Sequence, residues 1–159
     1  MASVKILVPD IADRASFALD EEAQYAFVSG YGITLKDNVS ETPKYILGLL
    51  NSKVLDFYLK QVSTTLRGGF FRYFTQFIEQ LPIRTIDFSN PEEKVQHDKL
   101  VSLVDNMLEL QKKYHGARME QDMELYERQI KIVDAQIDGL VYDLYGLTEA
   151  EIKVVEGEK

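Results

Sequence analysis

Nine residues, Met119, Met123, Tyr126, Ile130, Val133, Ile137, Leu140, Leu144 and Leu147, recur at alternating steps of four and three through the last third of the chain. Such a seven-residue period keeps one stripe of a helix apolar and demands a second helix to cover it. Charged residues in the QDMELYERQIK run crowd onto the other faces. Upstream, Asn90, Pro91 and Glu93 supply an N-cap, a first-turn proline and a capping-box acid for a helix expected over about 91–114. Its stripe, Val101, Val104, Leu108, Gln111 and Tyr114, is polar on the opposite side, and Gly116 marks its stop. The two helices are expected to fold onto each other as an antiparallel hairpin, although the same seam offers a homodimer contact. Gly146 ends the second helix, and Thr148 with Glu151 forms a further capping box for a short helix to about Val155.

The first half has a different grain. KILVPDI reads as a short strand halted at Pro9, and YAFVSGYGITLK, from Tyr25 to Lys36, as paired strands bent at Gly30 and Gly32. Thr42 and Pro43 open a helix expected over 43–62, apolar on most sides and therefore central. STTLRGGFFRYFTQFIEQLPIRTI then reads as a loop leading into strand, with Gly68 and Gly69 allowing positive φ. The fold class is thus α+β. A small mixed domain with a central helix is expected over 1–88, and the helical hairpin spacer with its short C-terminal helix over 89–159.

The chain has no cysteine, which removes disulfides, thiolate zinc sites and thiol nucleophiles and suits a reducing cytoplasm. Its apolar runs are far short of the ~20 residues a membrane span requires. No GxxxxGKS/T loop, GxSxG elbow or HExxH pair occurs. The two histidines, His97 and His115, are expected at solvated helix-end positions. Asp10, Asp20, Glu21 and Glu22 form an acidic group with no lysine at the spacing of a metal-dependent nuclease, so surface acids in turns are the expectation. No metal site is expected.

Charge separates the halves. Residues 1–84 are neutral overall, while 85–159 carry the whole net charge of -8. From 53 to 84 the local balance is +3, with Lys53, Lys60, Arg67, Arg72 and Arg84 against Asp56 and Glu79. An anion-binding face belongs there if it belongs anywhere. Lys60, Gln61, Thr64, Thr65, Arg67, Arg72, Tyr73 and Gln76 gather around the glycine pair and are the donor types that phosphate positioning and base-edge reading use. Taken alone, the same segment also fits aromatics in a core and arginines that only solubilise a loop.

YILGLLNSKVLDFYLKQVS followed by RGGFFRYFTQFIEQLPI resembles the TaqI-like C-terminal specificity domain, the target recognition domain of type IIG restriction-modification enzymes and N6-adenine DNA methyltransferases. ILVPDIADRASFALDE and YAFVSGYGITLK look like its opening strands. LVDNMLELQKK and IDGLVYDLYGLTEAEIKVVE are similar to its helical spacer, as in type I specificity subunits. The resemblance implies recognition of double-stranded DNA, with methyltransferase and possible nuclease domains of a parent protein as partners. It places S-adenosylmethionine and magnesium in those catalytic domains, whose NPPY and PD-(D/E)xK motifs do not occur here, so this chain is expected to be a non-catalytic fragment or separately expressed module. The initial MAS is expected to be a start artefact.

The resemblance maps no base-contacting residue, so physical chemistry selects the candidates. Arg67, Arg72, Lys60 and Lys53 are the candidates for phosphate or guanine, and Thr64, Thr65, Tyr73 and Gln76 for polar reading. Lys36 and Asn38, in the turn after the second strand region, are secondary. The acidic helices are expected to face solvent or partner domains and to repel misdirected DNA. The competing function is a helical interaction or dimerisation module that ignores DNA. An acidic DNA mimic ranks lower because the first half is neutral.

Overall fold

The computed structural model describes residues 4–20 and 31–157; the expected strand over 25–30 and the acids Glu21 and Glu22 lie outside the described residues. Two small antiparallel sheets and a set of helices share one core. β1 (Lys5–Val8) lies between β3 (Ala18–Asp20) and β4 (Tyr31–Ile33), with Ile6 opposite Leu19 on one side and Ile33 on the other. Ile6 and Val8, on the same face, point into the core. The second sheet has the order β2 (Ile11–Ala12), β6 (Phe70–Arg72), β5 (Thr65–Leu66). The chain passes from one sheet to the other at Pro9 and Asp10.

The single helix expected over 43–62 is two helices, α1 (Pro43–Leu50) and α2 (Lys53–Val62). Apolarity runs through the junction, but Ser52 takes extended backbone angles, its hydroxyl donating to the Leu49 carbonyl at 2.6 Å and accepting the Leu55 N–H at 3.4 Å. Serine competes with the helix for backbone partners and so serves better as a cap. The break has two further uses. Asn51 holds both the N–H (2.8 Å) and the carbonyl (2.9 Å) of Phe17. At the start of α2, the Lys53 N–H donates to Asp138 of the hairpin at 2.9 Å.

A short helix α3 (Thr75–Ile78) and an extended segment then lead to α4 (Pro91–Gly116) and α5 (Glu120–Leu144), which pack as the expected hairpin, followed by α6 (Glu149–Val155) with its capping box. The inner part of the seam is closed within the chain, with Val133, Ile137, Leu140 and Leu144 buried, whereas Met119 and Met123 at the outer end are exposed. α1 docks on α4 through Gly48, where an added Cβ would stand 2.9 Å from Val104 and 3.0 Å from Leu100. The buried apolar cluster runs without interruption from Ile6 through α1 and α2 to Leu144, across the boundary expected at residue 88.

His97 departs from its expected solvated position. It is buried, accepts the Thr42 N–H on Nε2 at 3.2 Å, and lies between Tyr45 and Phe88 at centroid distances of 4.8 and 4.9 Å. Its sequence neighbours are polar, but α1 and the segment before α4 close over it. His115 is exposed at the end of α4, as expected.

Candidate nucleic-acid interface

β5 and β6 form a hairpin closed by Arg67, Gly68 and Gly69, with both glycines at positive φ (86° and 81°). That backbone is strained for residues with a Cβ, which is why the tight reversal needs the glycine pair. Thr65 pairs with Phe71 and Leu66 with Phe70, while on the other edge Ile11 pairs with Arg72 and Ala12 with Phe71. The ladder is extended by the Tyr73 N–H to the Asp10 carbonyl at 2.8 Å, and the Ser63 hydroxyl ties the Arg72 carbonyl at 2.6 Å. Beneath the hairpin, Tyr73 is fully buried and donates its hydroxyl to Asp56 Oδ1 at 3.0 Å; the same oxygen accepts the Ala15 N–H at 3.1 Å. Burial, reinforced by Asp56, pushes the Tyr73 phenol far above its ordinary range.

Five of the expected contact residues gather here. Arg67 sits exposed at the turn and Thr65 is exposed on β5. Arg72 donates to Thr64 Oγ1 at 2.7 Å with its guanidinium 6.0 Å from the Phe74 ring centroid, which fixes the head while leaving further N–H groups. Gln76 is exposed on α3, four residues beyond Arg72.

The other candidates are buried, paired or distant. Tyr73 is a core pillar and presents no edge to solvent, so its expected role as a polar reader does not fit its position. Lys60 is paired with Asp56 Oδ2 at 3.0 Å and lies 5.3 Å from the Phe71 ring centroid. Lys53 opens α2, about 15 Å from that helix's far end at ~1.5 Å per residue, and its charge is set against Asp134 and Asp138. Both lysines line a shallow depression with Asp56 and Glu156. Lys36 and Asn38 are exposed, but β4 runs antiparallel to β1 and delivers them to the end of the first sheet away from β2. Arg84, counted in the positive balance, pins the segment before α4: it donates to the Leu144 carbonyl at 3.2 Å and pairs with Glu93 at 2.8 Å, while its own carbonyl accepts the Tyr45 hydroxyl at 2.6 Å.

Residues 1–83, more than half of the chain, match the TaqI-like C-terminal specificity domain. The chain belongs to this family. The matched segment contains every candidate contact residue and both sheets. A relative, the type II restriction enzyme and methyltransferase RM.Eco57I of Escherichia coli, is 28% identical over 160 residues, an alignment that takes in 96% of this chain and therefore the helical hairpin too. The chain spans only 16% of that protein's length.

Within this specificity domain, three contributors to the site are not among the expected contact residues. Asp56 organises it, joining α2, the segment before β3 and Tyr73 just after β6 through one carboxylate; a lone acid in a helix gives no sign of such reach. Phe70 and Ile11 are the others, 43% and 48% exposed on the outer face of the second sheet. A period-two reading of FFRY would have put Phe70 and Arg72 on one face and Phe71 and Tyr73 on the other. Among the described residues no group of three or more histidines and acids is placed to hold a metal ion, and no helix is long and apolar enough to cross a membrane.

Proposed function

We propose that this chain is the DNA-reading module of a restriction-modification protein, directing adenine methylation or cleavage carried out by other domains. The observation that supports it best is the β5–β6 hairpin, with Arg67 at its tip and Arg72 and Thr64 held ready beside it, inside the segment that matches the specificity-domain family. A two-stranded ribbon fits the B-DNA major groove, about 12 Å wide, where arginine is the usual reader of guanine and threonine serves either base type. Arg67 and Arg72 take the positioning or guanine contacts in this reading, and Thr64 and Gln76 the polar ones; Thr65, opposite Phe71, lies on the other face of the ribbon from Arg72. Lys36 and Asn38, and the α2 lysines, are left as outlying phosphate contacts. The cofactor and metal chemistry belongs to the parent protein's other domains.

The acidic helical half is proposed to face those domains. It offers Met119, Leu125 and Ile132 exposed toward the outer part of the hairpin, and a groove of about 300 Å³ walled by Val54, Phe57, Tyr58, Leu147 and Val154 between α2 and α6. These open apolar positions are also what the competing reading, an interaction or dimerisation module, relies on. Selection from a randomised duplex pool at low salt, followed by sequencing, separates the two. An enriched motif is expected; a stable dimer that enriches nothing would refute DNA reading and favour the interaction module.

A further inference from the structure

The outer face of the second sheet carries an apolar set that the donor inventory leaves unused. Cross-strand pairing puts Ile11 opposite Arg72 and Leu66 opposite Phe70, and the alternation of side chains along β6 puts Phe70 and Arg72 on one face. Ile11, Leu66, Phe70 and Arg72 therefore share a face, while Ala12 and Phe71 turn to the core. Phe70 and Ile11 stand about half open to solvent. The Phe70 ring is held against the turn, 3.3 Å from where a Cβ on Gly68 would sit. Clustered on one small sheet face, these apolar side chains offer contact area to a partner that can cover them.

Charge narrows the occupant. Arg67 and Arg72 border the face, the nearby Asp13 is paired with Arg14 at 3.8 Å, and the net charge of -8 resides wholly in the other half of the chain. A polyanion with apolar groups in its groove fits this mixture. In duplex DNA the major-groove apolar group is the thymine C5-methyl.

We infer that Phe70, supported by Leu66 and Ile11, reads a thymine methyl in the target sequence near the base pair or phosphate engaged by Arg72. The inference rests on the DNA-reading function proposed above. Phe70 and Arg72 are two residues apart on one strand, about 6.6 Å, or about two base steps at ~3.4 Å each. The thymine therefore lies within about two base pairs of the position that Arg72 engages. Removing one buried methyl should weaken binding about fourfold.

The test uses two randomised duplex pools, one with thymine and one with deoxyuridine, which pairs identically but lacks the methyl. The unaltered chain is expected to enrich a motif from the thymine pool that includes an A·T pair, and to bind about fourfold more weakly when that thymine alone becomes uracil. Phe70→Ala and, independently, Ile11→Thr should shrink that thymine preference while the remaining motif is kept. A motif enriched equally from both pools, with equal affinity, would overturn the methyl contact and leave DNA reading intact; this is also the outcome if the face is covered by protein. Failure to enrich any motif from either pool would overturn both.

Discussion

The site depends on a carboxylate that never needs to touch DNA. Asp56 accepts the hydroxyl of the fully buried Tyr73 at 3.0 Å and the half-buried Ala15 N–H at 3.1 Å, and pairs with Lys60 at 3.0 Å. Asp56→Ala strands two donors, each costing about 1–3 kcal/mol when left unsatisfied, so a loss of about 3 kcal/mol is expected. Tyr73→Phe removes the donor itself and leaves Asp56 its other two partners, a loss of about 1 kcal/mol. Asp56→Asn keeps an oxygen for both donors and gives up only a partly exposed ion pair, again about 1 kcal/mol or less. In a protein of this size 1 kcal/mol moves Tm by about 2–4 °C. Thermal and urea unfolding should therefore show Asp56→Ala falling by about 6–12 °C, and the other two by only a few degrees. Tyr73→Phe should also retain the binding preference of the unaltered chain. Damage from Tyr73→Phe as great as from Asp56→Ala, or an altered sequence preference with the fold intact, would show that Asp56 does not hold the site through buried donors and that Tyr73 is more than a core residue.

Asp138 is buried and its carboxyl is pushed up to about 6, chiefly by desolvation, with Asp134 and Glu156 adding to the rise and the Lys53 N–H and charge opposing it. A raised carboxyl favours the protonated folded state, so this group's contribution to stability should grow as pH falls from 7 through 6 toward 4; Asp138→Asn, which can still accept the Lys53 N–H, should raise stability at pH 7 and flatten that rise in urea titrations. Gly48→Ala should lower Tm by a few degrees, because overpacking against Val104 and Leu100 costs about 1–3 kcal/mol and the helix-propensity gain returns only about 1; an increase in Tm would show slack between α1 and α4. Arg67→Ala, at an exposed turn, should leave unfolding within about 0.5 kcal/mol yet, if Arg67 meets a phosphate, reduce the salt dependence of DNA binding by about one unit of slope.

Local signals made the helical hairpin legible, because the seam from Met119 to Leu147 carries its own period. The glycine pair at 68–69 marked only a loop leading into strand; that it closes the β5–β6 hairpin, with the short helix α3 beyond it, depends on strand pairing that no local pattern displays. What was not legible came from partners distant in sequence. The apolar run from Ile46 to Leu59 hides a break that Ser52 makes through its hydroxyl, and the usefulness of that break depends on Phe17 and Asp138. His97 sits among polar neighbours but is covered by Tyr45 and Phe88. Lys53, Lys60 and Arg84 read as free positive charge, yet each faces an acid or a carbonyl that the fold supplies. Phe70 and Phe71 are adjacent and chemically identical; only the register with β2 and β5 turns one outward and the other into the core.

Paired selections ask whether the hairpin tip reads DNA: the unaltered chain and Arg67→Ala, each presented with the same randomised duplex pool at low salt, with unfolding curves measured beside them. An enriched motif is expected for the unaltered chain and, for the variant, the same fold with information lost at one or two adjacent positions or affinity lowered across the motif. An identical motif bound with identical affinity by both proteins would contradict a role for Arg67, and would place any DNA contact away from the tip of the β5–β6 hairpin.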